Sequence, residues 1–411
     1  MSKILYVPQL TAIDKITKQY SIHADSNVVI LECIAECMKN TGVEFDLMVP
    51  TGTQTEFSKK LIKYHNWNII LERPINSLVR SAFTLRYDFD MSYWFDILNN
   101  KYDVIIIHTP TLVNNINALV KHMMLSGYLE KKPKIVAYLH FTDVPTQNKV
   151  PKEFSYFYRQ IEGLANADFP VTQSHANKQV IVANAKKYMP ELETPIPEVW
   201  NSTYSQKEID KYKNNNNRYD DKIIINFPNR LSSTNYCNHE KFFEVMRKIN
   251  KTRDDIICYI TNPSKYIPDI QLESLVGCPV ETPADLDSRE EYISRLHKSD
   301  IVVALFNKEA HGGVSSKEAM AAGCLPIFPK CYEYKEIMPK TYPGFCNKTL
   351  IDLQHAIEWG IQVCKNEIGK EWAEDSKLNI FERDSVEFNG SEIREQIERL
   401  CDENIGESKT D

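Results

Sequence analysis

Residues 309–330 read EAHGGVSSKEAMAAGCLPIFPK. Just upstream, Asp300-Ile301-Val302-Val303-Ala304-Leu305-Phe306 is a short apolar run of the kind that forms a buried strand. The glycine pair Gly312-Gly313 follows, and Ser315, Ser316, Lys317 and Glu318 open a helix rich in Ala and Met. Gly323 closes that helix, and Leu325-Pro326-Ile327-Phe328 resumes as the next strand. Strand, glycine turn, helix and strand make one parallel crossover unit, which places the chain in the α/β class. Small residues at such a turn let the backbone approach a ligand, and the open amides of a helix start attract an anion such as a diphosphate. Glu318 lies too deep in the helix to cap it and repels phosphate, so its carboxylate suits a neutral diol such as a ribose. An amide cradle beside a diol-binding carboxylate describes a nucleotide-sugar site. A buried crossover helix without a ligand is the alternative reading of the same pattern.

The stretch resembles the donor-site signature of retaining glycosyltransferases of the GT-B fold, family 4-like. That signature is a glutamate, seven residues, a second glutamate, then A-M-A-x-G-x-P. Glu318, Ala319, Met320, Ala321 and Gly323 match it in place, and Pro326 comes one residue late. Eight positions before Glu318 stands Ala310, so the first glutamate is displaced by one to Glu309. The resemblance implies two Rossmann-like doubly wound domains facing across a cleft, and retaining transfer from a nucleotide-sugar donor, a UDP-sugar. In the family the first glutamate holds the transferred sugar. Its displacement leaves the sugar open between glucose and a pentose such as arabinose.

The 411-residue chain has length for two domains, each with its own core. Its 42% hydrophobic and 26% charged residues are ordinary for a soluble globular protein. No apolar run approaches the roughly 18–20 residues that span a bilayer, so no stable membrane insertion is expected. Met1-Ser2-Lys3 leads straight into Ile4-Leu5-Tyr6-Val7 without signal-peptide architecture, and the ten cysteines form no close metal-type pairs. Cys33 and Cys37, one turn apart, suggest a packed helix face. Reduced thiols in a cytoplasm are the expectation, a host cytoplasm if the protein is viral. The net charge of −7 argues against non-specific nucleic-acid coating. Residues 1–200 carry 21 Lys+Arg against 20 Asp+Glu, however, and the remainder 28 against 36. A near-neutral first half can touch a polyanion locally.

Strand signals at residues 4–8, 45–49, 104–108, 135–140 and 169–172 alternate with helix signals near 26–39, 114–125 and 175–187. This first domain spans residues 1–200. In such sheets ligands bind beyond the carboxyl ends of the strands, here the polar loops 9–25, 109–115 and the segment after His140. Residues 201–221, with a run of four asparagines, read as a linker. A second domain at 222–375 begins with a strand at 222–228, followed by Asn229 and Arg230, with a helix at 239–249 and strands at 256–260 and 301–306. Helices at 350–364 and 391–402 follow, and the segment 376–411 is expected to return to the first domain, as the family's C-terminal segment does.

Sugar transfer needs the leaving diphosphate stabilised, the sugar held and the acceptor hydroxyl aimed. Arg230 can grip phosphate with its fork of donors; the lysine that relatives place five residues later is Asn235 here. Gly312, Gly313, Val314 and Ser315 supply backbone amides and a hydroxyl, flanked by Glu309 and His311. Helix amides and Arg230 do the neutralising, so no metal or other cofactor is required. Asp285-Leu286-Asp287 does not follow a strand as a cation-binding D-x-D would. In the first domain, His140 ends a strand where it can bond the sugar or acceptor, and Asp143 can take a proton from an acceptor hydroxyl or steady positive charge on the sugar ring. A histidine capping its own strand and an aspartate starting a turn are the bland readings.

After His140, Lys149, Lys152, Tyr156 and Arg159 interleave charge with aromatics, a pattern that grips a phosphate backbone and stacks a base, or simply buries its rings. Tyr138-Leu139-His140, Ala167-Asp168, Ser174-His175 and Tyr188-Met189-Pro190-Glu191 are similar in order and spacing to the DNA α-glucosyltransferases of T-even bacteriophages. That resemblance implies an acceptor that is a hydroxymethylated base in double-stranded DNA, with His140 near acceptor and sugar. Three rivals share the donor half: transfer to a surface polysaccharide or lipid-linked glycan, transfer to tRNA, and nucleotide-sugar sensing without transfer. The lipid-linked reading would use residues 83–98 as its membrane-docking face. Oligomeric state is left open.

Overall fold

A computed structural model describes residues 2–8, 26–49, 54–71, 91–140, 152–213, 221–229, 231, 237–262, 267–282, 289–305, 313–331, 333–347 and 349–406. They form two compact units. The first holds described residues up to Ser202 together with those from Asn389 onward, and the second is Thr203–Phe388.

The first unit is built on seven parallel strands: β1 (Lys3–Val7), β2 (Glu44–Val49), β3 (Trp67–Leu71), β4 (Val104–Ile107), β5 (Lys134–Leu139), β6 (Phe169–Thr172) and β7 (Glu198–Val199). Their order is β3-β2-β1-β4-β5-β6-β7. The strands read as apolar runs because helices cover both faces of the sheet. On one face Leu5, Ile105, Ile107, Ile135 and Leu139 pack against Ile116, Leu119 and Met123 of helix Val113–Leu125 and Phe157, Ile161 and Leu164 of helix Lys152–Ala165. Gly163 lets that second helix press on the chain after β4, since a methyl there would run into the Pro110 carbonyl. The other face carries a row of rings, Trp67, Tyr6, His108, Tyr138 and Trp200, each in contact with the next. The C-terminal helix Val386–Gly406 supplies Gln396, whose Oε1 accepts from Trp200 Nε1 at 2.6 Å.

The second unit has six parallel strands: β8 (Ile223–Phe227), β9 (Ile256–Ile260), β10 (Val280–Glu281), β11 (Ile301–Val303), β12 (Leu325–Pro329) and β13 (Phe345–Cys346), in the order β10-β9-β8-β11-β12-β13. The crossover from β11 through helix Val314–Ala321 to β12 is the unit expected from residues 300–328. Gly323 ends its helix at φ 90° with open space around it, so the left-handed conformation rather than crowding calls for glycine there.

In both sheets the strand order reverses once, between β1 and β4 in the first unit and between β8 and β11 in the second. Crevices for ligands open at such switch points, beyond the carboxyl ends of the strands. Residues 201–221, read as a linker, contain helix Gln206–Lys211 and an isolated bridge from Tyr204 to Ser385, both inside the second unit. Helix Glu367–Asp384 escaped the sequence reading because its buried positions, Gly369, Ala373, Ser376, Ile380 and Asp384, are mostly small or polar. Cys33 and Cys37 are both buried on helix Ser26–Cys37, as their spacing suggested.

Candidate active site

At the switch point of the second unit, β8 runs into Asn229, which is 3% exposed. Its Nδ2 reaches Ser315 Oγ at 3.5 Å, and its Oδ1 is buried without a partner among the described residues. Ser315 lies in the first turn of helix Val314–Ala321. Gly313 caps this helix at φ 54°, and no side chain bonds back to cap it. The backbone ladder starts with the amides of Ser316 and Lys317, both bonded to the Gly313 carbonyl. The amides of Val314 and Ser315 precede that ladder, and with the helix dipole they favour an anion. Arg230, Glu309, His311 and Gly312 lie outside the described residues.

Glu318 sits one turn further along with only 3% of its side chain exposed. Arg289, at the start of helix Arg289–Lys298, places Nη2 2.5 Å from Glu318 Oε1. The same guanidinium bonds Glu208 through Nε at 3.2 Å and Nη2 at 3.3 Å. Burial pulls the Arg289 pKa down, but the Glu318 and Glu208 carboxylates outweigh it and hold the pKa well above the usual value. One oxygen of Glu318 is therefore committed within the protein, a partner that local sequence did not announce.

Lys317, the neighbour of Glu318, belongs to a buried ionic cluster. Its Nζ lies 2.5 Å from Glu333 Oε1 and 2.8 Å from Asp384 Oδ1. Arg383 bonds Glu333 at 2.9 Å and Glu336 at 3.2 Å, and its Nε approaches Asp384 at 3.4 Å. The cluster pins the signature helix to helices Tyr334–Ile337 and Glu367–Asp384.

In the first unit, His140 follows β5 and is 6% exposed. The carbonyl just before it, on Leu139, accepts from Thr172 Oγ1 at 3.1 Å and Asn177 Nδ2 at 3.4 Å, which fixes the chain where the histidine emerges. His108, beyond β4, was missed by the sequence reading. It bonds the Tyr6 hydroxyl through Nε2 at 2.6 Å and stacks on Tyr138 at 4.4 Å. Burial, and secondarily His140, pull its pKa down to about 3. The signal available in the sequence was a polar residue at the end of an apolar strand beside the switch point.

Asp143 and Lys149 lie outside the described residues. Lys152 and Tyr156 lie on helix Lys152–Ala165, whose side chains are described only from Phe157 onward. Phe157 is buried in the core, and the Tyr158 hydroxyl donates to the Tyr188 carbonyl at 3.0 Å, so these two rings pack within the domain. Arg159 is exposed and lines a polar pocket of about 320 Å³ with Thr111, Asn114, Asn115 and Glu162. Asp168 receives the Ile135 amide at 2.8 Å at the amino end of β5, and Ser174 caps helix His175–Tyr188. Both serve the scaffold. On helix Met91–Leu98, Trp94, Ile97 and Leu98 point into the core and Met91 is exposed. No helix among the described residues is long and apolar enough to cross a membrane. Nor do those residues gather three or more His, Cys, Asp or Glu as a metal site.

No protein-family model matches the sequence. Solved structures do, each aligned over 97% of this chain. Sucrose-phosphate synthase from Thermosynechococcus elongatus matches with a TM-score of 0.69 at 12% identity, over 99% of that chain. A glycosyltransferase from Rickettsia africae gives 0.66 at 16% over 98% of its length. Anabaena HepE in complex with UDP and glucose gives 0.66 at 14% over 100%. At such identities the likeness is one of fold, and the chain has the two-domain α/β architecture of GT-B glycosyltransferases.

Proposed function

We propose that the chain is a retaining glycosyltransferase that moves a sugar from a UDP-sugar to an acceptor hydroxyl, that of a hydroxymethylated pyrimidine in double-stranded DNA. One observation carries the donor half. At the β8–β11 switch point a helix start with no side-chain cap and a buried Asn229 oxygen, both without a partner among the described residues, coincide with a clamped carboxylate one turn along. The amides of Val314 and Ser315 would hold the diphosphate, approached over Gly312 and Gly313, with Arg230 opposing the charge that grows on the leaving group. Glu318 would accept from the ribose through the oxygen that Arg289 leaves over, and the Arg289 clamp fixes its orientation. Glu309 and His311 would meet the transferred sugar. The pairing of UDP with glucose in HepE supports a UDP-linked donor.

His140, held by the bonds to the Leu139 carbonyl, would touch the sugar or acceptor, and Asp143 would receive the acceptor's proton. Lys149, Lys152, Tyr156 and Arg159 would grip the DNA. A glycan acceptor is the second reading, favoured by the pocket at Arg159. Its hydroxyl, two amides and two charged groups suit sugar hydroxyls. The apolar side of helix Met91–Leu98 is spent on the core, which weighs against docking on a lipid through that helix. The test is incubation of the purified chain with UDP-glucose or UDP-arabinose and duplex DNA containing hydroxymethylcytosine, followed by mass spectrometry of the nucleosides and assignment of the anomer. A glycosylated base of retained configuration is expected. Transfer to a glycan with none to DNA overturns the acceptor assignment, and donor binding without turnover on any acceptor overturns the enzyme reading.

A further inference from the structure

In the second unit, away from the signature helix, two cysteines meet. Cys258 is central in β9 and fully buried. Cys278 is partly exposed and follows Gly277, which ends helix Asp269–Val276 in the left-handed conformation at φ 75°. The backbone fixes their separation. The Cys258 amide donates to the Pro279 carbonyl at 3.0 Å, and Cys258 pairs with Val280 across the sheet. The two sulfurs lie 3.5 Å apart. A disulfide requires about 2.05 Å, so closing the gap takes about 1.5 Å, within reach of side-chain rotation and a small shift at the turn.

We propose that Cys258 and Cys278 are a modification site that closes to an internal disulfide by exchange with a small-molecule disulfide such as oxidised glutathione. The Cys278 thiolate attacks one glutathione sulfur, forming a mixed disulfide and expelling one glutathione thiolate. The Cys258 sulfur then attacks Sγ of Cys278 and expels the second glutathione, whose thiolate takes up the Cys258 proton. Two protein thiols are oxidised and one glutathione disulfide is reduced to two thiols. The roles follow from accessibility, since Cys278 is partly exposed and Cys258 fully buried. Electrostatics agrees. The Cys258 S–H, and after it Asn250, lower the Cys278 pKa against the opposing effect of burial, while contact with Cys278 and burial raise that of Cys258. The bond would staple β10, an edge strand with only two paired residues, to its neighbour.

The experiment equilibrates the reduced full chain with graded mixtures of reduced and oxidised glutathione, alkylates the remaining thiols, and maps peptides by mass spectrometry. A peptide pair joined at residues 258 and 278, lighter by two hydrogens, is expected, with slower amide exchange at Val280 and Glu281. Cys258→Ser should retain one glutathione on Cys278, and Cys278→Ser should form no internal bond. The proposal is overturned if both thiols are still alkylated in full after the most oxidising mixture, or if Cys278→Ser acquires glutathione at Cys258 as fast as the wild type closes. Neither readout depends on sugar transfer.

Discussion

Replacing Lys317 with methionine probes how the signature helix is anchored. The substitution keeps the length of the side chain and removes its charge. In the wild type two cations, Lys317 and Arg383, face three carboxylates, Glu333, Asp384 and Glu336. In Lys317→Met a single guanidinium would serve all three, with Glu333 and Asp384 fully buried. Breaking a buried ionic group by removing one partner costs about 3–5 kcal/mol, because the remaining charge has no water to turn to. For a unit of this size that corresponds to a fall in melting temperature of roughly 6–20 °C. The penalty should also depend on pH. Burial already raises the pKa of both Asp384 and Glu336 above the usual carboxylate range. A raised folded-state pKa contributes stability that is present below the unfolded value and lost as pH rises through the folded value. Losing Lys317 pushes these values further up, so the penalty should be smaller at pH 5 than at pH 8. Hydrogen exchange of peptides from residues 313–384 in urea, at both pH values, reads the effect in this unit alone. A loss below about 1 kcal/mol, or an equal loss at both pH values, would refute the reasoning.

Three further outcomes follow from the geometry. Gly163→Ala drives a methyl into the Pro110 carbonyl and should destabilise the first unit by about 1–3 kcal/mol, read as a lower melting temperature. His108, with its pKa near 3, stays neutral from pH 5 to 8, so the pH profile of turnover over that range should be unchanged in His108→Gln apart from its level; loss of a limb from the profile would show that His108 titrates in catalysis. Asp143→Ala should lower kcat by about 10²–10⁴-fold while donor affinity is retained, if a proton is passed there. Unchanged turnover would remove Asp143 from the acceptor side.

The central strands were legible because most are apolar runs covered on both faces, whereas the four edge strands, β3, β7, β10 and β13, three of them only two residues long, were not read. The reading of 104–108, 135–140 and 169–172 lies within a residue of β4, β5 and β6. The crossover at the signature was equally plain, since glycine turn, helix and strand follow one another locally. What escaped was settled by distant partners. Arg289 meets Glu318 from 29 positions away and Glu208 from 81, and Lys317 meets Asp384 across 67. Tyr6 and His108 are 102 apart. None of these pairs leaves a local pattern. Lys317, read in sequence as an unremarked member of a helix start, is a buried anchor. Similarly, Asp168 and Ser174, which carried part of the resemblance to DNA glucosyltransferases, bond to backbone in ways that serve any parallel domain of this kind.

The central claim is that the start of helix Val314–Ala321 and the carboxylate of Glu318 together bind a nucleoside diphosphate. Titration calorimetry of UDP against the wild type and Glu318→Gln, joined to amide exchange with and without UDP, tests it most directly. Saturable binding, slower exchange at Val314 and Ser315, and affinity weakened about 10-fold in Glu318→Gln, matching a hydrogen bond to a charged group of about 1.5 kcal/mol, are predicted. Binding that leaves exchange at residues 313–318 unaltered, or no binding of UDP or any other nucleoside diphosphate, would contradict it.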